Sequence, residues 1–334
     1  MQNPHNTAVD LSRRPLAGKA ASIALACVLA GCGAQGPAAP TPSTVPPPVV
    51  PGEVLAEGTD VSFFSAETSA RAAHVTVAID GMRYETDGDG SLRLSRPVAL
   101  PATLEASSPE FLVRETVIRT RGDLRLYLWP RHSATGLDEA RTRALVYTDA
   151  NTGGPVRLRR ANGTRVVVVP EASIRQDAEA MAAHHAAAEA LSAATRGAVT
   201  FEVGETADAG TVVHTLVNAN DPAMSGHAAL AYRTVTGNTI TGARIVFLSL
   251  DVARMTSAVM HEMAHTFGLE HSIDAGDLMY PVVSGPRGLS PREQLVIELM
   301  LMRPPGNQFP DNDRDGVGAR GRREEVVACG RRGV

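Results

Sequence analysis

The chain has 334 residues, 43% of them apolar and 4% aromatic, with 32 Lys+Arg against 36 Asp+Glu and a formal net charge of -4. That apolar fraction excludes a mainly disordered chain, and the length can hold one large domain or two modest ones with their own cores. No broad basic surface is available for nucleic acid, and three cysteines can build neither a disulfide scaffold nor an all-cysteine zinc site.

The chain opens with Arg13, Arg14 and Lys19, followed by an apolar run over 20–31. Such a run is about half what spans a bilayer, and a basic start before a short apolar core is the layout of a signal peptide. It ends in Leu29-Ala30-Gly31-Cys32, which resembles a bacterial lipobox. The resemblance implies removal of residues 1–31 and acylation of Cys32, which anchors the chain by lipid in the bacterial cell envelope. Gly33 after the cysteine points, by the same resemblance, to the outer membrane. Cys27 leaves with the signal and Cys32 is consumed by lipid, so Cys329 reads as an idle thiol with no partner to resolve it.

Residues 32–52 include Pro46-Pro47-Pro48 and read as an extended, proline-rich linker. Over 53–131 apolar residues recur with period two, as in Val75, Val77 and Ile79, in Leu92 and Leu94, and in Leu124, Leu126 and Leu128. With turns at Asp80-Gly81 and Asp87-Gly88-Asp89-Gly90, about seven short strands in a small all-β sandwich are expected. The stretch 80–94 loosely resembles carboxypeptidase regulatory-like domains. No motif there is specific, and the domain reads as a spacer.

From 132 to 308 the pattern is that of an α+β domain. A buried strand is expected over 164–169, ending at Pro170, followed by an alanine-rich helix over 173–195. Ile174, Ala178, Met181, His185 and Ala188 form that helix's predicted apolar stripe, and His184 and His185 read as packing or solvent residues. Strands follow over 198–203, 211–216, 229–235 and 244–250, then a helix over 252–267. A last helix begins with Ser290 as cap, Pro291 in its first turn and Glu293 closing a capping box, and stops before Pro304.

The chemistry lies in His261-Glu262-Met263-Ala264-His265-Thr266-Phe267-Gly268-Leu269-Glu270-His271. Two histidines four apart share one helix face, so both imidazoles can reach one ion. Glu262 lies about 100° further round and flanks that ion. Gly268 can take positive φ, end the helix and turn the chain so that His271 approaches the same point. Three neutral nitrogens and one water make the open tetrahedral site of catalytic Zn2+.

His-Glu-x-x-His-x-x-Gly-x-x-His is the metzincin signature, and Asp277-Leu278-Met279-Tyr280-Pro281 is similar to the Met-turn of that clan. Ser272 and the step from His271 to Met279 resemble matrixins in particular, over about 166–302. The resemblance implies a metzincin-like domain of mixed twisted sheet, zinc helix, Met-turn and C-terminal helix, with His261, His265 and His271 as zinc ligands. It implies Glu262 as the catalytic base, Met279 as a structural floor, and the strand near Ala229-Leu230-Ala231-Tyr232 as the sheet edge that pairs with an extended protein or peptide substrate. Pro281 stands where some relatives carry a zinc-touching tyrosine, and Val283 where matrixins often carry a pocket tyrosine. No cysteine-switch propeptide is visible, so latency through a cysteine–zinc bond is not expected. His214, Asp221 and His227 are too few for a structural zinc and read as surface residues.

In the tail over 309–334, Asp311-Asn312-Asp313-Arg314-Asp315-Gly316 resembles the start of a calcium loop, but Arg322 stands where the bidentate Glu is needed. Ca2+ is a subsidiary expectation, and the tail reads as polar and disordered. The whole reads as a lipid-anchored zinc metalloendopeptidase. The alternative is an envelope-binding lipoprotein whose sandwich carries the function and whose zinc fold is a scaffold.

Overall fold

The computed structural model describes residues 52–148, 155–206, 211–282, 287–314 and 321–329, all within one unit, Thr41–Val334. The signal segment, Cys32, the linker up to residue 51 and Val283 lie outside the described residues. Among the described residues no helix is long and apolar enough to cross a membrane.

The first domain consists of β1 (Val54–Leu55), β2 (Asp60–Ser65), β3 (Thr76–Ile79), β4 (Met82–Glu85), β5 (Ser91–Arg93), β6 (Val98–Ala99), β7 (Ala102–Ser107), β8 (Arg114–Ile118) and β9 (Arg125–Leu128). One sheet has the order β4-β3-β7-β8, a second β5-β2-β9, and β1 pairs with β6. Val61 and Phe63 of β2, Val77 and Ile79 of β3, Leu104 of β7 and Leu128 of β9 share one core, which is what period-two alternation on two facing sheets produces. Asp80 and Gly81 join β3 to β4 at φ 46° and 79°, the left-handed pair that a two-residue hairpin needs. The strands outnumber those predicted because β1 and β6 are two residues each, too short to show a period.

The second domain is built on α1 (Glu139–Val146), β10 (Thr164–Pro170), α2 (Ala172–Arg175), α3 (Ala178–Ala194), β11 (Val199–Val203), β12 (Thr211–Val217), β13 (Ala229–Thr236), β14 (Thr239–Phe247), α4 (Leu250–Ala253), α5 (Thr256–Phe267), α6 (Pro291–Leu301) and β15 (Arg323–Cys329). Its sheet runs β11-β10-β12-β14-β13-β15. The pairs β10–β11, β10–β12 and β12–β14 are parallel, and β13 is antiparallel to both neighbours. Val166 and Val168 of β10, Val213, Ile245 and Phe247 pack on α3 and α5 in one core.

The helix predicted over 173–195 is two helices. Asp177 accepts from the Ala180 amide at 2.9 Å and starts α3 afresh. That break resets the phase. Ala180, Ala183, His184, Ala187, Ala188 and Leu191 face inward, whereas Ala178 and His185 of the predicted stripe are exposed. His184 is a packing residue: its Nδ1 donates to the Ala180 carbonyl at 2.8 Å and its Nε2 meets Thr215 Oγ1 at 3.1 Å. α5 starts later than predicted because Ser249 caps the separate α4.

The expectation of a disordered tail is corrected. β15 pairs with β13 from Val235↔Arg323 to Ala229↔Cys329. Glu325, Val327 and Cys329 point inward, a period-two pattern that the surrounding arginines obscured. The calcium-like residues are also committed elsewhere. Asp311 is fully buried and accepts from Arg303 Nε at 2.9 Å and Nη2 at 2.8 Å, from Asn307 Nδ2 at 2.9 Å and from Arg114 Nη1 at 3.2 Å. Arg114 Nη2 donates to Asp313 at 2.6 Å. With these carboxylates facing guanidinium groups, the Ca2+ expectation is not supported. Since Arg114 lies on β8, the same cluster ties the first domain to the second, and Arg157 and Arg303 stack on Trp129 at 5.4 and 5.6 Å.

Burial alone would raise the Asp311 carboxyl, but Arg114 and Arg303 outweigh it and hold it below the usual carboxylate range. Replacing Asp311 by Ala leaves the buried Arg303 without its carboxylate and Arg114 with Asp313 alone, and should cost about 3–5 kcal/mol in equilibrium urea unfolding. Because the folded-state value is depressed, this stabilisation is complete above the unfolded value of about 3.9 and is lost as pH falls through the folded one. Stability of the unsubstituted protein should therefore fall below about pH 4, and that of the Asp311→Ala variant should fall less over the same range.

Candidate metal centre

Every residue of α5 from Ser257 to Phe267 is buried, so His261, Glu262 and His265 are carried into the interior on a helix with no exposed face. The spacing of four brings the two imidazoles together edge to face, with ring centroids 4.7 Å apart and Nε2 atoms 3.1 Å apart. Each is oriented by its other nitrogen: His261 Nδ1 donates to the Leu278 carbonyl at 2.6 Å and His265 Nδ1 to the Leu269 carbonyl at 2.7 Å. Those bonds fix the tautomer and leave both Nε2 lone pairs pointing at a shared point.

Gly268 ends α5 at φ 135°, and Arg160 caps the helix by donating its amide to the Phe267 carbonyl at 3.0 Å. A Cβ at Gly268 would fall on the Leu158 carbonyl oxygen and lie 2.9 Å from Arg159 Cα. Glycine is thus required twice over, by its dihedral and by the close approach of the backbone. The turn brings His271 to the other two, with ring centroids 4.8 Å from His265 and 5.5 Å from His261.

The next turn holds the back of the site. Ser272 donates its amide to the Met279 carbonyl at 2.8 Å and its hydroxyl to Asp277 at 2.5 Å. Glu293 caps α6 as predicted, and the same buried carboxylate accepts from the Met279 amide at 2.7 Å and the Leu278 amide at 3.2 Å. A helix cap therefore positions the carbonyl that orients His261. Met279 is fully buried. Asp277 is gripped by Arg292 at 3.0 Å, so this turn is pinned from both sides.

A fourth donor lies here that the sequence reading had set aside. Cys329, at the end of β15, is buried with its Sγ 3.2 Å from His261 Nε2 and 3.5 Å from His271 Nε2. The donor atoms of His261, His265, His271 and Cys329 all lie within 4.8 Å of one another. Zinc bonds of about 2.0–2.3 Å set tetrahedral donors about 3.3–3.6 Å apart, close to the 3.1, 3.2 and 3.5 Å contacts among these atoms. Burial drives His261 down to about 3, burial and then Arg233 drive His271 down to about 4, and burial with the neighbouring imidazoles holds His265 well below its usual value. All three are neutral donors at physiological pH, as a dication requires.

Glu262 is fully buried, and neither of its oxygens has a partner in hydrogen-bond geometry, although the Cys329 thiol faces it. Burial pushes its carboxyl up to about 8. An unpaired buried carboxyl is costly, and a dication beside it removes the cost. The residues present therefore fit Zn2+. His214, Asp221 and His227 do not gather: Asp221 accepts from the Tyr232 hydroxyl at 2.8 Å, and among the described residues the single candidate metal cluster is the one at α5. β13 is not the free edge predicted over 229–232, because β15 covers it.

Arg233 and Glu270 were also missed. Arg233, 1% exposed, donates to Glu270 at 2.7 Å and to Glu325 of β15 at 3.2 Å, which joins the loop before His271 to the last strand. Only the alternation of Glu325, Val327 and Cys329 signalled this in the sequence. Replacing Gly268 by Ala should destabilise the protein by about 2–4 kcal/mol, from the left-handed dihedral and overpacking together, and weaken zinc retention against a chelator by displacing His271. Thermal unfolding and metal analysis after dialysis check both.

No curated protein sequence matches the chain. The matrixin family model matches residues 173–294, from the first turn of α2 into α6, and so spans the histidines, Gly268 and the Met279 turn but not β15. With the site's geometry in agreement, residues 173–294 are a matrixin-family zinc-metallopeptidase domain.

Proposed function

We propose that the chain is a lipid-anchored zinc endopeptidase of the bacterial envelope in which Glu262 is the general base. The observation that carries the catalytic part is the fully buried, unpartnered Glu262 carboxyl beside three converging imidazoles. His261, His265 and His271 would hold the zinc. When bound, the ion supplies a Lewis acid that activates water and polarises the scissile carbonyl.

Glu262 takes the proton of the attacking water and passes it to the leaving amine nitrogen. Its apolar surroundings keep bulk water away and its position on α5 leaves it one choice of direction, so the proton is handed over at one place. Substrate would lie extended along β13 in the place that β15 holds in this structure, where main-chain hydrogen bonds are indifferent to sequence, which suits unfolded or flexible segments of protein. Acylation of Cys32, with residues 32–52 as spacer, would hold the domain off the outer membrane, as the lipobox-like Leu29-Ala30-Gly31-Cys32 suggests.

Glu262→Ala should retain zinc and lose about 10²–10⁴ in the rate of cleavage of a denatured protein. The comparison should be made on the full chain and again with Cys329 replaced by Ser, so that a thiol at the metal does not mask turnover. An unchanged rate would remove the assignment. Absence of cleavage by either parent chain would favour the alternative, an envelope-binding lipoprotein whose sandwich carries the function. Acylation is read separately, by the mass of the N-terminal peptide after expression with its signal.

A further inference from the structure

β15 lies where an extended peptide would have to lie to reach the metal. It pairs with β13 over seven consecutive positions, from Arg323 opposite Val235 to Cys329 opposite Ala229. It then ends with a buried sulfur at the one point on which His261, His265 and His271 converge. The strand is not laid on loosely. Glu325 is buried against Arg233, whose other nitrogen holds Glu270, the residue before His271, so one guanidinium ties the strand to the ligand-bearing loop. Arg323 adds bonds to Glu325 at 2.9 Å and to the Gly237 carbonyl at 2.7 Å. A cavity of about 300 Å³ is lined by Arg233, Glu270 and His271 together with residues 324–328 of β15, so the strand forms one side of the space beside His271.

We propose that β15 is a resident inhibitor, which fills the peptide position along β13 and supplies the Cys329 sulfur as fourth ligand of the zinc held by the three histidines. This rests on the peptidase reading above. Two features agree: the strand pairing and the spacing of the sulfur from two imidazole nitrogens. The matrixin match ends at residue 294, before the strand and its cysteine. A zinc site with four protein ligands is closed, whereas turnover needs its fourth position open. On coordination the sulfur would replace water as fourth ligand: the zinc–water bond and the S–H bond break, the sulfur–zinc bond forms, and the water and the thiol proton pass to solvent. No electron is transferred, so departure of the strand reverses the step.

The test uses the full chain loaded with Co2+ for spectroscopy and with Zn2+ for turnover. The cobalt form should show a thiolate-to-cobalt charge-transfer band in the near ultraviolet that disappears in Cys329→Ser, with metal stoichiometry unchanged. The zinc form of Cys329→Ser should cleave a flexible peptide at least tenfold faster than the unsubstituted chain. Cys329→Ser combined with Glu325→Ala, which also frees the strand from Arg233, should be faster still. A protein that binds cobalt stoichiometrically without the band overturns the ligand assignment. A band in a chain that already cleaves as fast as its Cys329→Ser variant overturns the inhibitory role. A band with no cleavage by any of the three chains sinks the peptidase reading and the inhibitory role with it, and leaves only the thiolate ligand.

Discussion

His261, His265 and His271 must present neutral nitrogens to one point in the interior, and much of the second domain can be understood as meeting that constraint. Two of the rings are held by carbonyls that no ordinary helix would leave free, those of Leu278 and Leu269. The Leu278 carbonyl is in place because Glu293 grips the adjacent amides, and Glu293 is in place because it caps α6. The third ring arrives only because Gly268 lets the chain turn flush against Leu158 and Arg159. Each support ends on a backbone group, and Glu293 is the one side chain among them that holds such groups in place.

Charge is handled differently at the two places where it is buried. Around Asp311 it is balanced on the spot, with Arg114 and Arg303 on one carboxylate, and the balance joins the β8 strand of one domain to the segment after α6 of the other. At the metal centre it is left unbalanced. Three imidazoles kept neutral by burial and a carboxyl with no hydrogen-bond partner form a cavity whose chemistry is completed by a cation. The first arrangement is a fastening and the second a donor set suited to a dication, and the contrast follows from which partners lie within reach.

β15 links sheet architecture to the chemistry. As a sixth strand it covers β13 and itself becomes the edge of the sheet. Because β13 runs past the histidines, whatever pairs with it is also carried to the metal. On the proposal above, covering β13 and occupying the site are one event, coupled through Arg233 between Glu325 and Glu270.

Much of this was legible in the sequence, wherever the determining geometry is local. Histidines four apart on a helix, a glycine free to turn, a Ser-Pro-x-Glu helix start and period-two alternation are statements about neighbours, and α5, Gly268, α6 and the sandwich strands follow them. The phase of α3 failed because one aspartate, Asp177, restarts the helix, and a periodic stripe does not survive an interruption. The seats of Asp311 and Cys329 were not legible at all. Arg114 meets Asp311 across 197 residues and His261 meets Cys329 across 68, and no spacing rule reaches so far. The sequence by itself determined which residues could hold a metal, since that is fixed within two helical turns and a bend. Only the tertiary structure decided that a thiol stands among them, since pairing of β15 with β13 depends on a sheet that the rest of the chain must first assemble.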